Sequence, residues 1–220
     1  MIETLKDIFL IVSALFPIVN PLGGSPIFLS LTRGYSTPAR RALSRQVAMN
    51  SLFLLVGSYL IGTHILAFFG ISLPVVQVGG GLIVISTGWT MLKRRDDEER
   101  NEMHRHVQPQ DTFRQAFYPL TLPLTVGPGS ISVAITLGAN APHTSRFNLL
   151  PVVAAIVGSV VISLSIFLCY GFADRLAQIL GSTAMSVIMR LSSFLLVCIG
   201  VQILWNGVSA LLASVPWNVH

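Results

Sequence analysis

The sequence predicts an all-α membrane protein: six transmembrane helices in two inverted-topology repeats of three, with spans 1 and 4 broken into half-helices. Three observations carry that prediction. Of 220 residues, 52% are hydrophobic and only 10% charged, and the mean hydropathy is +0.71, too apolar to present a water-soluble surface. Apolar stretches at 8–32, 46–69, 73–92, 113–138, 148–171 and 185–213 are each long enough to cross a hydrocarbon core of roughly 30 Å. Finally, a spaced set of prolines in the first stretch recurs in the fourth.

Span 1 contains PIVNPLGGSP, residues 17–26. A proline inside a helix removes a hydrogen bond and clashes with the preceding turn, and glycine loosens the backbone, at about 3 and 1 kcal/mol respectively. Freed backbone groups in lipid cannot turn to water, so such a break belongs where protein or a wet cavity can satisfy them. Ser25 followed by Pro26 has the grammar of an N-cap and a first helical residue, which predicts a second half-helix starting there. Pro21 falls within the break itself.

Span 2 carries His64, the one histidine well inside a span and of the residue type that can serve as a switch near neutral pH; it is expected to be buried against a neighbouring helix. Span 3 holds Gly79-Gly80-Gly81, small residues that let helices approach closely. A phosphate-cradling loop would also need a lysine that is missing. Next comes KRRDDEERNEMHRHVQPQD, residues 93–111, with charges of both signs and no apolar periodicity, read as a solvated loop.

Span 4 contains PLTLPLTVGP, residues 119–128, in which Gly127-Pro128 repeats the Ser25-Pro26 arrangement and Pro123 answers Pro21. Spans 5 and 6 hold Cys169 and Cys198, where a thiol acts as a small hydrophobe, so neither a disulfide framework nor a metal site is expected. Arg190, near one end of span 6, is expected to snorkel to the interface. Trp89, Trp205, Trp217 and Tyr118 lie near span ends and fit interfacial anchoring.

The repeat extends beyond the prolines. Pro17, Pro21 and Pro26 match Pro119, Pro123 and Pro128 at an offset of 102 residues, with Ala14, Ile18 and Leu22 matching Ala116, Leu120 and Leu124. At an offset of 101, VGSYLI (56–61) aligns with VGSVVI (157–162), and Phe69-Gly70 with Tyr170-Gly171. QVGGGLIV (77–84) pairs more loosely with RLSSFLLV (190–197). Three spans per repeat is an odd number, so the second repeat enters the membrane from the opposite face. The chain therefore divides into a first three-helix repeat at 1–92, a charged loop at 93–112 and a second, inverted repeat at 113–214.

Charge follows the same topology. The formal net charge is +5, yet Arg33, Arg40, Arg41, Arg45, Lys93, Arg94, Arg95, Arg100, Arg105, Arg114 and Arg175 fall on one side of a six-span arrangement. Only Lys6 and Arg146 fall on the other. By the positive-inside rule the first group, with the 93–112 loop, is cytoplasmic and both termini face outward. The basic balance thus reads as membrane orientation, with the lipid bilayer and not nucleic acid as partner. The N-terminus lacks the pattern of a cleaved signal peptide, so span 1 is expected to remain in the mature protein.

Half-helices meeting near the midplane offer unpaired N–H groups at one end and bare carbonyls at the other. Such a pair can hold a carboxylate and an ammonium with no charged side chain, which suits a zwitterion. Gly23, Gly24, Gly127 and Gly129 are expected to let a small ligand approach the backbone, and Asn20, Ser25, Thr121, Thr125 and Ser130 to offer polar contacts. The bland alternative is a structural kink, since proline and glycine are common in membrane helices.

At these motifs the chain resembles the MarC family of bacterial membrane proteins. NPLGGSPIFLSLT (20–32) and PLTLPLTVGPGSIS (119–132) carry the resemblance most specifically, supported by FGISLPVVQVGGGLIV (69–84) and the last span. The resemblance implies a six-span protein of the bacterial plasma (inner) membrane with N- and C-termini facing outward, into the periplasm. It also implies transport of small neutral amino acids of the glycine, alanine and serine type. This chain departs from relatives at Gln77-Val78-Gly79-Gly80-Gly81 and at Ser192 and Ser193, which bears on substrate preference.

Three function classes compete. A secondary transporter would rock its repeats around a central site; a channel or facilitator for a small polar solute would use the same paired half-helices. An intramembrane serine hydrolase would need Ser25 and His64 side by side, and Ser25 is better read as a cap. No enzyme activity and no cofactor is expected. All nine acidic residues lie outside or at the edges of the spans, which leaves sodium on backbone carbonyls or a proton on His64 as the routes to ion coupling.

Overall fold

The computed structural model describes residues 2–32, 34–93, 116–141 and 149–214; all regular elements among them are helical, with no strand. The charged loop therefore lies outside the described residues save Lys93, as do Arg33, Arg94, Arg95, Arg100, Arg105, Arg114, Arg146 and Trp217.

Span 1 consists of α1 (Ile2–Val19) and α2 (Pro21–Leu31), separated by Asn20 alone. The two run on as one apolar span, Thr4–Leu31. Span 2 is α3 (Thr37–Phe68), whose 32 residues exceed a bilayer core; its first turns, bearing Arg40, Arg41 and Arg45, overhang the apolar part predicted from 46. Span 3 is α4 (Leu73–Lys93).

Span 4 begins with a π-helical segment, Ala116–Thr125, in which Tyr118 and Leu122 leave helical geometry. It continues as α5 (Pro128–Ala139) after a 70° bend. Span 5 is α6 (Leu150–Gly171) and span 6 lies within α7 (Ala173–Ala213). Among the described residues five helices are long and apolar enough to cross a membrane, and the bent pair, taken as one span, brings the number to six.

One correction concerns where a helix begins. The half-helix of span 1 starts at Pro21 with Asn20 as its N-cap, whereas Ser25 and Pro26 lie inside α2. Between spans 5 and 6, residues 173–180 form a further helical piece. Gly181, with φ 71° and ψ 172°, breaks that helix from the span proper, Thr183–Ala213. Only glycine enters this backbone region without strain.

Apolar faces decide the packing. Ile11, Leu15 and Val19 of α1, Phe28 of α2, Leu43, Val47 and Leu55 of α3, and Ile162, Ile166 and Tyr170 of α6 share one buried core with Ala116, Leu120 and Val126. The outer surface is apolar too: Phe9, Phe53, Phe68 and Leu164 are all more than half exposed, as expected of side chains that face lipid.

The largest helix interface joins α4 to α7, and α3 packs along α6. Small residues bring α4 and α7 backbone to backbone: a Cβ on Gly81 would stand 2.8 Å from the Gly200 carbonyl, and one on Gly88 would stand 2.9 Å from that of Ser193. In a membrane, where water drives no association between helices, such close van der Waals packing holds them together. The packing partners come in couples that the repeat would exchange: α3 with α5 and α6 with α2, or α4 with α5 and α7 with α2.

One charged residue closes an end of the bundle. Arg40, only 6% exposed, donates from Nε to Thr32 Oγ1 at 3.1 Å, from Nη2 to the carbonyls of Thr32 at 3.0 Å and Tyr35 at 3.3 Å, and from Nη1 to the Asp174 carboxylate. A guanidinium's rigid fork suits this work, tying the end of α2 to the starts of α3 and α7. Replacing Arg40 with Met strands the carboxylate and two carbonyls, and is expected to cost roughly 2–4 kcal/mol. Arg40→Lys should recover less than half of that, because one ammonium cannot span all the acceptors. Melting temperatures of the two variants in detergent check both statements.

Candidate functional site

Each break solves the same problem, the loss of helical hydrogen bonds at a proline, with different side chains. In span 1 the chain turns at Asn20, whose φ of 46° and ψ of 59° are left-handed, a conformation asparagine tolerates better than most residues. Its backbone serves both helices, with Asn20 N–H donating to the Phe16 carbonyl and its own carbonyl accepting from Gly24 N–H, each at 2.9 Å. Its Oδ1 accepts from Gly23 N–H at 3.1 Å, which caps α2. Nδ2 of the same side chain is buried with no hydrogen-bond partner among the described residues.

In span 4 the position matching Asn20 is Leu122, which can neither cap nor favour a left-handed turn, and it is extended at φ −107° and ψ 128°. Helical geometry resumes five residues later in the pattern, at Pro128, with Gly127 as an N-cap that contributes no side-chain bond. Between them two threonines satisfy wide-turn carbonyls: Thr121 Oγ1 donates to Ala116 and Thr125 Oγ1 to Leu120, both at 2.6 Å. Val126 N–H reaches back to the Thr121 carbonyl at 2.9 Å. Asn50 of α3 donates to Thr121 Oγ1 at 3.4 Å.

Tyr170 at the end of α6 joins the two breaks. Fully buried, it stacks on Phe28 of α2 with ring centroids 4.6 Å apart, and its hydroxyl lies 3.1 Å from Thr125 Oγ1. The same hydroxyl occupies the space a side chain at Gly24 would need. Sequence reasoning paired Tyr170 with Phe69 but gave it no place in the site. Only its polar hydroxyl in a greasy span hinted at a partner.

The candidate residues are thus partly brought together. Asn20, Ser25, Thr121, Thr125 and Ser130 are all buried, and Gly24 meets Thr125 through Tyr170. The expected openings over the glycines are filled by protein: the Asn20 side chain sits over Gly23, Tyr170 over Gly24 and a Val84 methyl over Gly129, while at Gly127 the Pro123 carbonyl would stand 3.2 Å from a Cβ. Ser25 and Ser130 hydroxyls donate to the carbonyls of Leu22 at 3.0 Å and Gly127 at 2.9 Å. His64 was expected to be buried; it is exposed, one turn from the end of α3. The buried Ser25 and the exposed His64 are not paired, so the hydrolase arrangement is not formed.

Comparison with known proteins agrees with the fold. A family model described as MarC family integral membrane protein matches residues 5–212. The chain is 30% identical to the UPF0056 inner membrane protein MarC of Salmonella typhimurium over 94% of this chain and 96% of that protein. It is 27% identical to the UPF0056 membrane protein YvbG of Bacillus subtilis, over 90% and 92% respectively. No solved structure matches it.

The contact between Gly24 and Tyr170 makes a non-additive prediction. Gly24→Ala alone should destabilise the protein by about 1–3 kcal/mol, because the new methyl meets the buried hydroxyl. Tyr170→Phe alone should cost about 1 kcal/mol, the value of its bond to Thr125. Combined, they should cost at least 1 kcal/mol less than their sum, since removing the hydroxyl makes room for the methyl. Thermal unfolding of the four proteins in one detergent measures the coupling.

Proposed function

The chain belongs to the MarC family of integral membrane proteins, and from that premise we propose that it is a secondary transporter of small neutral amino acids. The observation that carries the reading is Asn20: a buried amide with an unpaired Nδ2 donor, standing at the positive end of α2 and linked through Gly24 and Tyr170 to the second break. A substrate carboxylate is a fitting acceptor for such a donor at a helix N-terminus. The uncapped start of α5 supplies a second positive end. The last carbonyls of α1 then take the ammonium.

Selectivity follows from what lines the breaks. None of Asn20, Gly23, Gly24, Ser25, Thr121, Thr125, Gly127, Gly129 and Ser130 is ionisable, so a charged substrate side chain finds no partner. Tyr170 and Val84 crowd the glycines, which favours glycine, alanine or serine over larger residues. In this reading the repeats, 1–92 and 113–214, move about the breaks by alternating access, carried in the inner membrane with both termini outward. The closed packing around Tyr170 favours a gated carrier over an open channel. Coupling runs through sodium on freed carbonyls or through a proton.

Reconstituted liposomes test it. Purified protein should take up glycine and L-alanine saturably, with counterflow, and prefer L- to D-alanine. Asn20→Gly, which keeps the left-handed turn and deletes the amide, should lower uptake at least tenfold (about 1.4 kcal/mol) while retaining a folded, monodisperse protein. Flux that rises linearly with concentration would instead assign a channel. Absence of flux for every small neutral amino acid, under both sodium and proton gradients, would remove this substrate class.

A further inference from the structure

A second polar site stands at the end of the bundle, apart from the helix breaks. A cavity of about 470 Å³ opens between the start of α3 and the junction of α6 with α7, lined among others by Thr37, Arg40, Arg41, Phe172, Asp174 and Arg175. Its charges do not balance. Asp174 is engaged by Arg40, which leaves Arg41 and Arg175 with no carboxylate partner among the described residues.

Those two guanidiniums nevertheless share one aromatic neighbour and line one cavity. Both lie over the ring of Phe172, Arg41 at 4.9 Å and Arg175 at 5.9 Å from its centroid. The quadrupole of one ring attracts each cation, but it does not cancel the repulsion between them. An anion set between the two relieves that repulsion, and paired guanidiniums match the oxygens of a phosphate group. The cavity also meets the first turn of α3, capped by Ser36 and beginning at Thr37, where the helix end adds partial positive charge.

The surroundings indicate which kind of phosphate. The cavity lies where the 22-residue apolar α6 ends, the depth of lipid headgroups. Arg175 belongs to the helical piece that precedes the Gly181 break, and Ile179, four residues on and so on the same face, is 81% exposed. An exposed apolar side chain beside an unpaired guanidinium is the surface of an interfacial helix, apolar toward acyl chains and basic toward headgroups. We propose that this cavity binds the phosphate of an anionic phospholipid of the adjoining leaflet, with Arg41 and Arg175 as its ligands and Ile179 against the acyl chain. The assignment does not depend on the transported solute.

The test uses the full-length protein, delipidated in a neutral detergent, with melting temperature and native mass spectrometry as readouts. Phosphatidylglycerol should raise the melting temperature and survive as one bound lipid, whereas phosphatidylcholine should do neither. Arg41→Gln with Arg175→Gln should weaken the apparent affinity for phosphatidylglycerol about tenfold or more, while its lipid-free melting temperature stays near that of the parent. If that variant does not fold, Ile179→Ser with both arginines kept should weaken binding of the lipid while leaving the lipid-free protein unchanged. Equal effects of the two lipids on the parent, or undiminished binding in the folded arginine variant, would overturn the site. Inorganic phosphate at millimolar concentration reproducing the whole shift would overturn the assignment to lipid and leave a soluble phosphate as the ligand.

Discussion

Everything about this chain depends on one constraint: a backbone group freed at a helix break within the bilayer has no water to turn to, so protein must satisfy it. Two proline-rich stretches create such groups, and polar side chains in otherwise apolar spans answer them. Asn20 serves the first break almost alone, through its left-handed backbone and its Oδ1 cap. Thr121 and Thr125 serve the second by bonding to carbonyls five residues back. Their burial is the structural signature of the demand, not an accident of packing.

The two answers have different shapes. A single left-handed residue lets α1 and α2 run on as one apolar span, whereas a ten-residue π-helical segment precedes a 70° bend in span 4. An inverted repeat would make the two halves equivalent, yet the helix restarts at the second proline of the pattern where Asn20 caps it and at the third where Leu122 stands in its place. The breaks are then rejoined by Tyr170, which stacks on α2 and reaches Thr125. A buried tyrosine with a satisfied hydroxyl thus links the two places where helical hydrogen bonding is interrupted.

Polar demands at the ends of the helices are met differently. There charge is available, and Arg40 gathers α2, α3 and α7 with hydrogen bonds that a neutral side chain could not provide together. The middle of the bundle relies instead on hydroxyls, amides and glycine-mediated contact, which add no net charge to a medium where charge is costly. The division matches the composition: acidic and basic residues border the spans, and small polar ones occupy them.

Much of this was legible in the sequence because it follows from local chemistry. Apolar length fixed six crossings, and proline with glycine fixed where spans 1 and 4 must break; the Gly127-Pro128 restart was read correctly because nothing nearby competes with it. Ser25-Pro26 misled for a related reason: Asn20 followed by Pro21 offers an equally good cap five residues earlier, and its left-handed turn cannot be recognised from residue type alone. The glycines suggested openings, but what occupies the space over a glycine is decided by neighbours from other helices, here Tyr170 and Val84. Likewise the exposure of His64 depends on which face α3 turns to its partners, and an apolar span gives no period from which to read it. Sequence thus determined the solvent, the number of crossings and the positions of the breaks, all set within a few residues of chain. Tertiary structure alone decided how the breaks are filled and joined, because those contacts link different helices, with Tyr170 far along the chain from Gly24 and from Thr125.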